Sequence, residues 1–311
     1  MTNCLVEILV LFLGLIVALS ACQQVPTVVT TENKTILVNE PSVRKLVTEE
    51  TVLVDARSPF EFGLSHIPGS INLQWQDFSI PGSPNQGFLD LDKFKLARRL
   101  ALVGIDRETP VLILGFGAKG DGAEGRLAWM FKFLGITKVT TASYDLMRAQ
   151  MTQVNSHQPM PRPIWRPILE ESYEITYPDF YTLVQAYQVK HHLPSIPLRK
   201  GRRVGRKIQG AGFFVLDVRL ENELGRTRNP EDFVDAEAVV KVPWTQFWSP
   251  QGQVSHEAVQ SLRQVGIKPT DAIVVVSENG QTASGVVFAL RDLGFHSAKV
   301  LSGGLMYVES L

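Results

Sequence analysis

The feature that most constrains this chain is that it repeats itself. Val52-Leu53-Val54-Asp55-Ala56-Arg57 is echoed by Phe214-Val215-Leu216-Asp217-Val218-Arg219, Val103-Gly104-Ile105 by Val265-Gly266-Ile267, and Val111-Leu112-Ile113-Leu114 by Ile273-Val274-Val275-Val276. Each pair is separated by 162 positions, and Leu134-Gly135 recurs as Leu293-Gly294 at a slightly smaller spacing. Chance seldom preserves three spacings together, so two copies of one unit are expected. Length agrees: 311 residues at 44% hydrophobic can build one large core or two ordinary ones, and one domain per ~150 residues makes two the default.

Each copy alternates short apolar runs with helical patterns. Val111 to Leu114 is apolar throughout, which suits a strand buried on both faces of a parallel sheet. Arg126 to Leu134 has its apolar residues at helical spacing and stops at Gly135, placed as a C′ glycine. The expected fold class is therefore α/β, with two tandem units, each a parallel sheet flanked by helices. Between the copies, Pro159 to Pro167 holds four prolines and predicts an extended linker. Tyr177-Pro178-Asp179-Phe180 then opens a helical pattern running through Val189. Arg199 to Lys207 packs six Lys or Arg into nine residues. It reads as a solvated insertion before the strand Phe213 to Leu216, or as a surface for anionic headgroups or another polyanion.

The N-terminus reads separately. Ile8 to Leu19 is an apolar run followed by Ser20-Ala21-Cys22, the pattern of a secretory signal. Leu19-Ser20-Ala21-Cys22 also resembles a bacterial lipobox, which implies cleavage before Cys22 and lipid on its thiol and new amino group. Met1 to Glu7 lacks Lys and Arg and carries an acid, which leaves two alternatives. One is an uncleaved membrane helix over Leu5 to Cys22, close to the ~20 residues a span needs; the other is plain secretion. All three export the rest of the chain. Gln23, standing where an aspartate is associated with inner-membrane retention, implies an outer-membrane lipoprotein facing the periplasm of a Gram-negative host. The expected organisation is a signal peptide over 1–21, a linker from the anchor over 22–36, a first domain over 37–155, a Pro-rich linker over 156–170 and a second domain over 171–311 with the basic insertion at 199–207. The chain's two cysteines are Cys4 and Cys22. After processing only a lipidated Cys22 would remain, which excludes a disulfide within the mature chain, a catalytic thiol and a Cys-based metal site. No metal or other cofactor is expected. A formal net charge of zero gives no global ground for a nucleic-acid partner. The expected partners are the membrane, through Cys22, and an envelope protein or a small anion.

In the first copy, Asp55-Ala56-Arg57-Ser58-Pro59-Phe60-Glu61-Phe62 is followed by His66-Ile67-Pro68-Gly69-Ser70-Ile71-Asn72. This resembles the signature near the start of rhodanese domains, the family of thiosulfate and mercaptopyruvate sulfurtransferases. The resemblance runs from about Leu37 to the C-terminus and implies a tandem rhodanese. Read physically, Asp55 ends a strand and can accept turn amide protons, Arg57 and Glu61 can pair locally, and His66 serves a turn or packing. The second copy keeps Asp217 and Arg219 but has Val234-Asp235-Ala236-Glu237-Ala238 where His-Ile-Pro-Gly should stand; Val242-Pro243-Trp244 resumes the pattern. Gly115-Phe116-Gly117-Ala118-Lys119-Gly120 formally matches a dinucleotide fingerprint. Gly122 and Gly125 delay the helix, however, and the strand lies late in its unit, so a flexible loop is the better reading. The resemblance likens it to the non-catalytic half of tandem sulfurtransferases. There too a loop without cysteine leads into an Arg-x-x-Trp-Met-Phe helix, here Arg126 to Phe131.

In the second copy, Ile273 to Ser284 reads as a buried strand, a tight loop and a helix start. The loop of Ser277, Glu278, Asn279, Gly280, Gln281 and Thr282 should turn its amides toward one centre, a nest that attracts anions at a helix N-terminus. The resemblance places a persulfide-bearing cysteine at the first position and a cation beside it; here they are Ser277 and Glu278. A hydroxyl cannot hold a second sulfur and is a weak nucleophile without a base. His256 and His296 are near in sequence only. The sequence thus predicts no catalytic residue and a non-catalytic binding or interaction role in the cell envelope. The alternative, implied by family resemblance, is a thiosulfate or 3-mercaptopyruvate sulfurtransferase. If the Leu19 to Cys22 reading is right, mass spectrometry of the protein from intact cells finds a diacyl or triacyl adduct on Cys22 and no Met1; an intact N-terminus supports the membrane-helix alternative.

Overall fold

The computed structural model describes residues 27–31, 34–38, 47, 50–154, 159–190 and 212–311. The signal peptide, the lipid-bearing Cys22 and the basic run Arg199 to Lys207 lie outside the described residues. Among the described residues no helix is long and apolar enough to cross a membrane.

The repeat becomes two parallel sheets of matching order. In the first unit, β3 (Val52–Asp55) and β5 (Val111–Gly115) form the centre, with β4 (Ile71–Asn72) and β6 (Val139–Ser143) outside them, in the order β4-β3-β5-β6. In the second, β9 (Phe213–Asp217), β10 (Val239–Lys241), β11 (Ala272–Val276) and β12 (Ala298–Leu301) take the same order, and β8 (Glu174–Ile175) extends the edge to give β10-β9-β11-β12-β8. The continuous apolar runs sit in the middle of each sheet, where both faces are covered: all five residues of β5 are buried, as are the last four of β11. The strands β1 (Thr27–Thr31), β2 (Lys34–Val38) and β7 (Met151–Val154) make a separate antiparallel sheet that the sequence pattern did not announce.

Helices flank the sheets. In the first unit these are α1 (Pro59–Leu64), α2 (Lys93–Leu102), α3 (Ala123–Phe133) and α4 (Tyr144–Gln150); α5 (Tyr177–Lys190), α6 (Glu257–Gln264), α7 (Gln281–Asp292) and α8 (Gly304–Glu309) follow. Local chemistry sets their ends. Ser58 and Glu61 make a reciprocal capping box at the start of α1, with Pro59 in its first turn. The end of α3 shows why one pair of repeated glycines recurs. Gly135 (φ 92°) donates to Lys132 O and Ile136 to Phe131 O, and Gly294 (φ 93°) and Phe295 repeat both bonds to Arg291 O and Leu290 O after α7. These are Schellman stops, and the left-handed residue they require is cheapest as glycine.

The segment Pro159 to Pro167 has no regular secondary structure, and it lies against the first unit. Arg162 N donates to Ala101 O at 2.8 Å and the Trp165 indole to Ile105 O at 3.0 Å.

The two units meet through α3 and α7. A Cβ at Gly125 would lie 2.8 Å from Gly285 Cα and 2.8 Å from the Trp248 ring, and one at Gly285 would lie 3.1 Å from Gly125 Cα. One apolar cluster crosses this contact, joining Leu127, Trp129 and Phe133 of the first unit to Trp244, Trp248, Val286 and Phe288 of the second. Replacing Gly125 or Gly285 by Val forces these backbones apart, an overpacking cost of roughly 1–3 kcal/mol. Urea unfolding should record that loss for both variants. Gly63→Ala, at a helical position with nothing within 4 Å of the added Cβ, should leave stability unchanged or slightly raised.

Candidate functional site

The residues closing each central strand have the same geometry in both units. Asp55 accepts from Arg57 N at 3.0 Å and, through both oxygens, from the Arg57 guanidinium at 2.7–3.3 Å. Asp217 and Arg219 repeat the arrangement, with the closest ion-pair contact again 2.7 Å. Asp55 therefore accepts a turn amide as expected, but Arg57 pairs with Asp55 and not with Glu61, which instead accepts from the Ser58 hydroxyl at 2.7 Å. His66 stacks on Phe62 and contacts Phe62 O at 2.9 Å, a turn and packing role.

In the second unit the segment from Ser277 to Gly280 joins β11 to α7, with Gly280 (φ 82°) as the helix N-cap. Ser277 is 2% exposed, and its Oγ accepts from Ala283 N at 3.2 Å. Asn279 Oδ1 accepts from Gln281 N at 3.0 Å. Two amides at this helix start are thus already satisfied by the loop's own oxygens. The loop is also clamped from behind: Leu305 N donates to Ser277 O and Met306 N to Glu278 O. In front lies a cleft of about 270 Å³, walled by Glu278, Asn279, Gln281 and Thr282 with Gly120, Asp121, Leu220, Glu223 and Trp244. Four of the six expected loop residues border it; Ser277 and Gly280 lie behind the wall. Asp121, Glu223 and Glu278 give this cleft three carboxylates and no lysine or arginine, a field that opposes anions. His256 sits in a different cleft, beside Trp248 and Ser261.

Each unit covers the other's loop. Gly87 of the first packs so closely on Asn279 O and Gly303 of the second that no side chain would fit, while Phe88 meets Tyr307 edge-on at 4.7 Å. In return, the turn at Ser249–Gly252 lies on the first unit's loop, 3.1 Å separating a Cβ at Gly117 from Gly252 Cα, and Ser143 N donates to Gln251 O at 2.6 Å. The first loop is accordingly not the flexible connection its glycines suggest. It forms a short 3-10 turn at Gly117–Lys119 before α3 starts at Ala123. Arg126, 2% exposed, ties the units together, donating to Ser284 Oγ at 2.6 Å and to Gly87 O at 2.7 Å. Burial pushes its guanidinium down to about 10, against the pull of Glu174, so it stays charged at neutral pH.

The first unit has a cleft of its own, of about 290 Å³, at the ends of β3 and β5. Glu124 borders it and is 1% exposed. Burial above all, with the charge of Asp121 adding to it, pushes the Glu124 carboxyl up to about 7. Sequence reading passed over this residue. The available signal was an acid between glycines at the start of a mostly apolar helix.

Comparison with known proteins places the fold. Residues 41–143 match the family model for the rhodanese-like domain. Among solved structures, the 3-mercaptopyruvate sulfotransferase SseA from Escherichia coli is similar at a TM-score of 0.60 and 16% identity, over 82% of this chain and 92% of that one. A probable thiosulfate sulfurtransferase is similar at 0.54 and 18%, over 85% and 96%. Tum1 from Saccharomyces cerevisiae is similar at 0.58 and 12%, over 86% and 91%. At such identities the likeness is one of fold. No curated protein matches the sequence.

The raised Glu124 pKa has a consequence for stability. A glutamate in an unfolded chain titrates near 4.3, so between that pH and 7 the folded protein keeps a proton that the unfolded chain has lost. The contribution is fully present below the unfolded pKa and is lost as pH rises through 7, a decline of roughly 3–4 kcal/mol. Urea unfolding at about pH 5 and about pH 8 should show this fall in the parent protein and a much smaller one in Glu124→Gln.

Proposed function

Proceeding from a chain whose residues 41–143 match the rhodanese-like domain and whose fold is that of tandem sulfurtransferases, we propose that this protein binds and does not transfer sulfur. The observation that carries the reading is the state of Ser277. Where the family resemblance calls for a persulfide-bearing cysteine stands a buried hydroxyl, hydrogen-bonded to the Ala283 amide and, among the described residues, to no imidazole. An oxygen cannot store the transferred sulfur, and without a base it is a poor nucleophile. The electrostatics support the same conclusion. A cleft bordered by Asp121, Glu223 and Glu278 repels thiosulfate, sulfide and mercaptopyruvate alike, whereas a sulfurtransferase needs to hold these anions. The competing reading, sulfur transfer, needs a sulfur nucleophile, and the chain's cysteines are Cys4 and Cys22. We further propose that the protein works in the cell envelope, exported and held to a membrane through lipid on Cys22. The Leu19-Ser20-Ala21-Cys22 sequence supports this part of the reading.

The test is direct. Thiosulfate:cyanide sulfurtransfer by the purified protein should stay at background. Ser277→Cys, its thiol buried behind an acidic cleft, should form a persulfide with thiosulfate only slowly. Adding Glu278→Arg should speed that step about ten-fold, the equivalent of roughly 1.4 kcal/mol, by exchanging a repulsive carboxylate for a cation. Robust turnover by the unmodified protein overturns the proposal.

A further inference from the structure

Helix α2 turns Leu96, Ala97, Leu100 and Ala101 into the first unit's core and leaves a second apolar set in solvent. Phe94, Arg98 and Leu102 stand at i, i+4 and i+8, a spacing that lines them up along one side of the helix. Phe94 is 43% exposed and Leu102 62%. The segment between the units continues this strip. Pro159 packs against Gly104 just past the end of α2, and Arg162 N donates to Ala101 O at 2.8 Å. Met160, 82% exposed, is thereby set at the same end of the helix as Leu102. Ile164, 58% exposed, follows between the points where Arg162 and Trp165 bond to Ala101 O and Ile105 O. Exposed apolar side chains scattered singly mean little, but four grouped on one edge mark a docking surface.

Charge selects the partner. In a chain of zero formal net charge, α2 carries Lys93, Lys95, Arg98 and Arg99 and no acid, and 159–168 carries Arg162 and Arg166 and no acid. Asp90 offsets Lys95 at 2.7 Å, and Asp106 lies 3.9 Å from Arg162. Arg98 and Arg166 are exposed and have no carboxylate partner among the described residues. A second copy of this chain would set like charges against each other. A nucleic acid would satisfy the cations and leave the apolar side chains in water. An anionic lipid surface satisfies both, taking apolar side chains into the acyl boundary while the cations stay among the headgroups. It also conforms to a convex helix and needs no matching groove.

We propose that the outward side of α2, with the adjoining stretch 160–166, lies on an anionic phospholipid surface. Phe94, Leu102 and Met160 enter the boundary between headgroups and acyl chains, and Arg98 and Arg166 meet lipid phosphates. The inference goes beyond the attachment through Cys22 proposed above and does not rest on it, since it concerns a face of the folded chain. Lipid on Cys22 would tether the protein; this face would fix which side of it the membrane covers.

The chain from residue 22 with Cys22→Ser tests this. It keeps every described residue, carries no lipid and holds no cysteine, because the chain's other one is Cys4. A single thiol introduced as Leu102→Cys then carries an environment-sensitive fluorophore; Phe60→Cys, at a position on α1 that is 75% exposed, is the control. With phosphatidylglycerol vesicles the protein should co-sediment, and the label at position 102 should shift to the blue while that at position 60 does not. Phosphatidylcholine vesicles should bind it about ten-fold more weakly, and added salt should weaken its hold on phosphatidylglycerol. In unlabelled protein, Arg98→Glu with Arg166→Glu should weaken binding about ten-fold or more, and Leu102→Ser with Met160→Ser about ten-fold. All four positions are exposed, so circular dichroism should find each variant folded. The proposal is overturned if phosphatidylglycerol vesicles do not bind the protein or if the Arg98 and Arg166 double variant binds like the parent. It is overturned as well if the protein binds while the label at position 102 stays unshifted, which assigns the binding to another element such as the basic run 199–207. The mass of the Cys22 adduct and the thiosulfate assay report on the earlier readings, so failure of either is recognised separately.

Discussion

The approach of α3 to α7 at Gly125 and Gly285 is the constraint on which the rest of this structure depends. Only two residues without side chains let these helix backbones come so close, with Trp248 lying over both. Once they do, everything at the heads of those helices is brought into register across the units. Arg126, one residue beyond Gly125, reaches Ser284, one residue before Gly285, and the Ser284 hydroxyl in turn donates to Gly280 O at 2.6 Å. A buried arginine is therefore coupled to the N-cap of the opposing helix. Its desolvation is offset by hydrogen bonds to Ser284 and Gly87 and by the Trp129 ring, 4.7 Å away.

The same contact makes the two loops mutually protected. The first unit's Gly87 segment covers the second unit's loop, and the second unit's Gly252 turn covers the first. Gln281 of α7 also donates to Asp121 O at 2.9 Å, so Asp121 borders both clefts. A loop held in this way has little freedom to rearrange around a ligand, and what it can bind is set by the groups that face outward. In the second unit those groups are carboxylates and amides; in the first they include Asp121, while Glu124 is buried behind the surface.

The repeat preserves scaffold and varies chemistry. The Asp–Arg pairs at the ends of β3 and β9 are nearly superimposable in their hydrogen bonds, and both Schellman stops recur. At the heads of β5 and β11 the copies part company. Gly115 faces the inserted carboxylate of Glu124, while Ser277 turns its hydroxyl inward to its own helix. Neither arrangement presents a nucleophile to solvent.

The sequence by itself determined the two-unit plan, the parallel sheets and the identity of the loop at Ser277, because each rests on local information: apolar runs that only a doubly covered strand can bury, glycines where a helix must stop, and spacings kept through a duplication. It also determined the absence of a loop cysteine, a matter of reading letters. Tertiary structure decided the rest. That Ser277 lies behind the cleft and not on it, that Arg57 pairs two residues back and not four ahead, and that the first loop is packed under Gly252 are outcomes of geometry between distant segments. The same holds for Glu124. Its neighbours in sequence are glycines and an alanine, which offer no burial. Packing against β5 at Gly115 removes it from water, and only that removal makes its carboxyl chemically distinct.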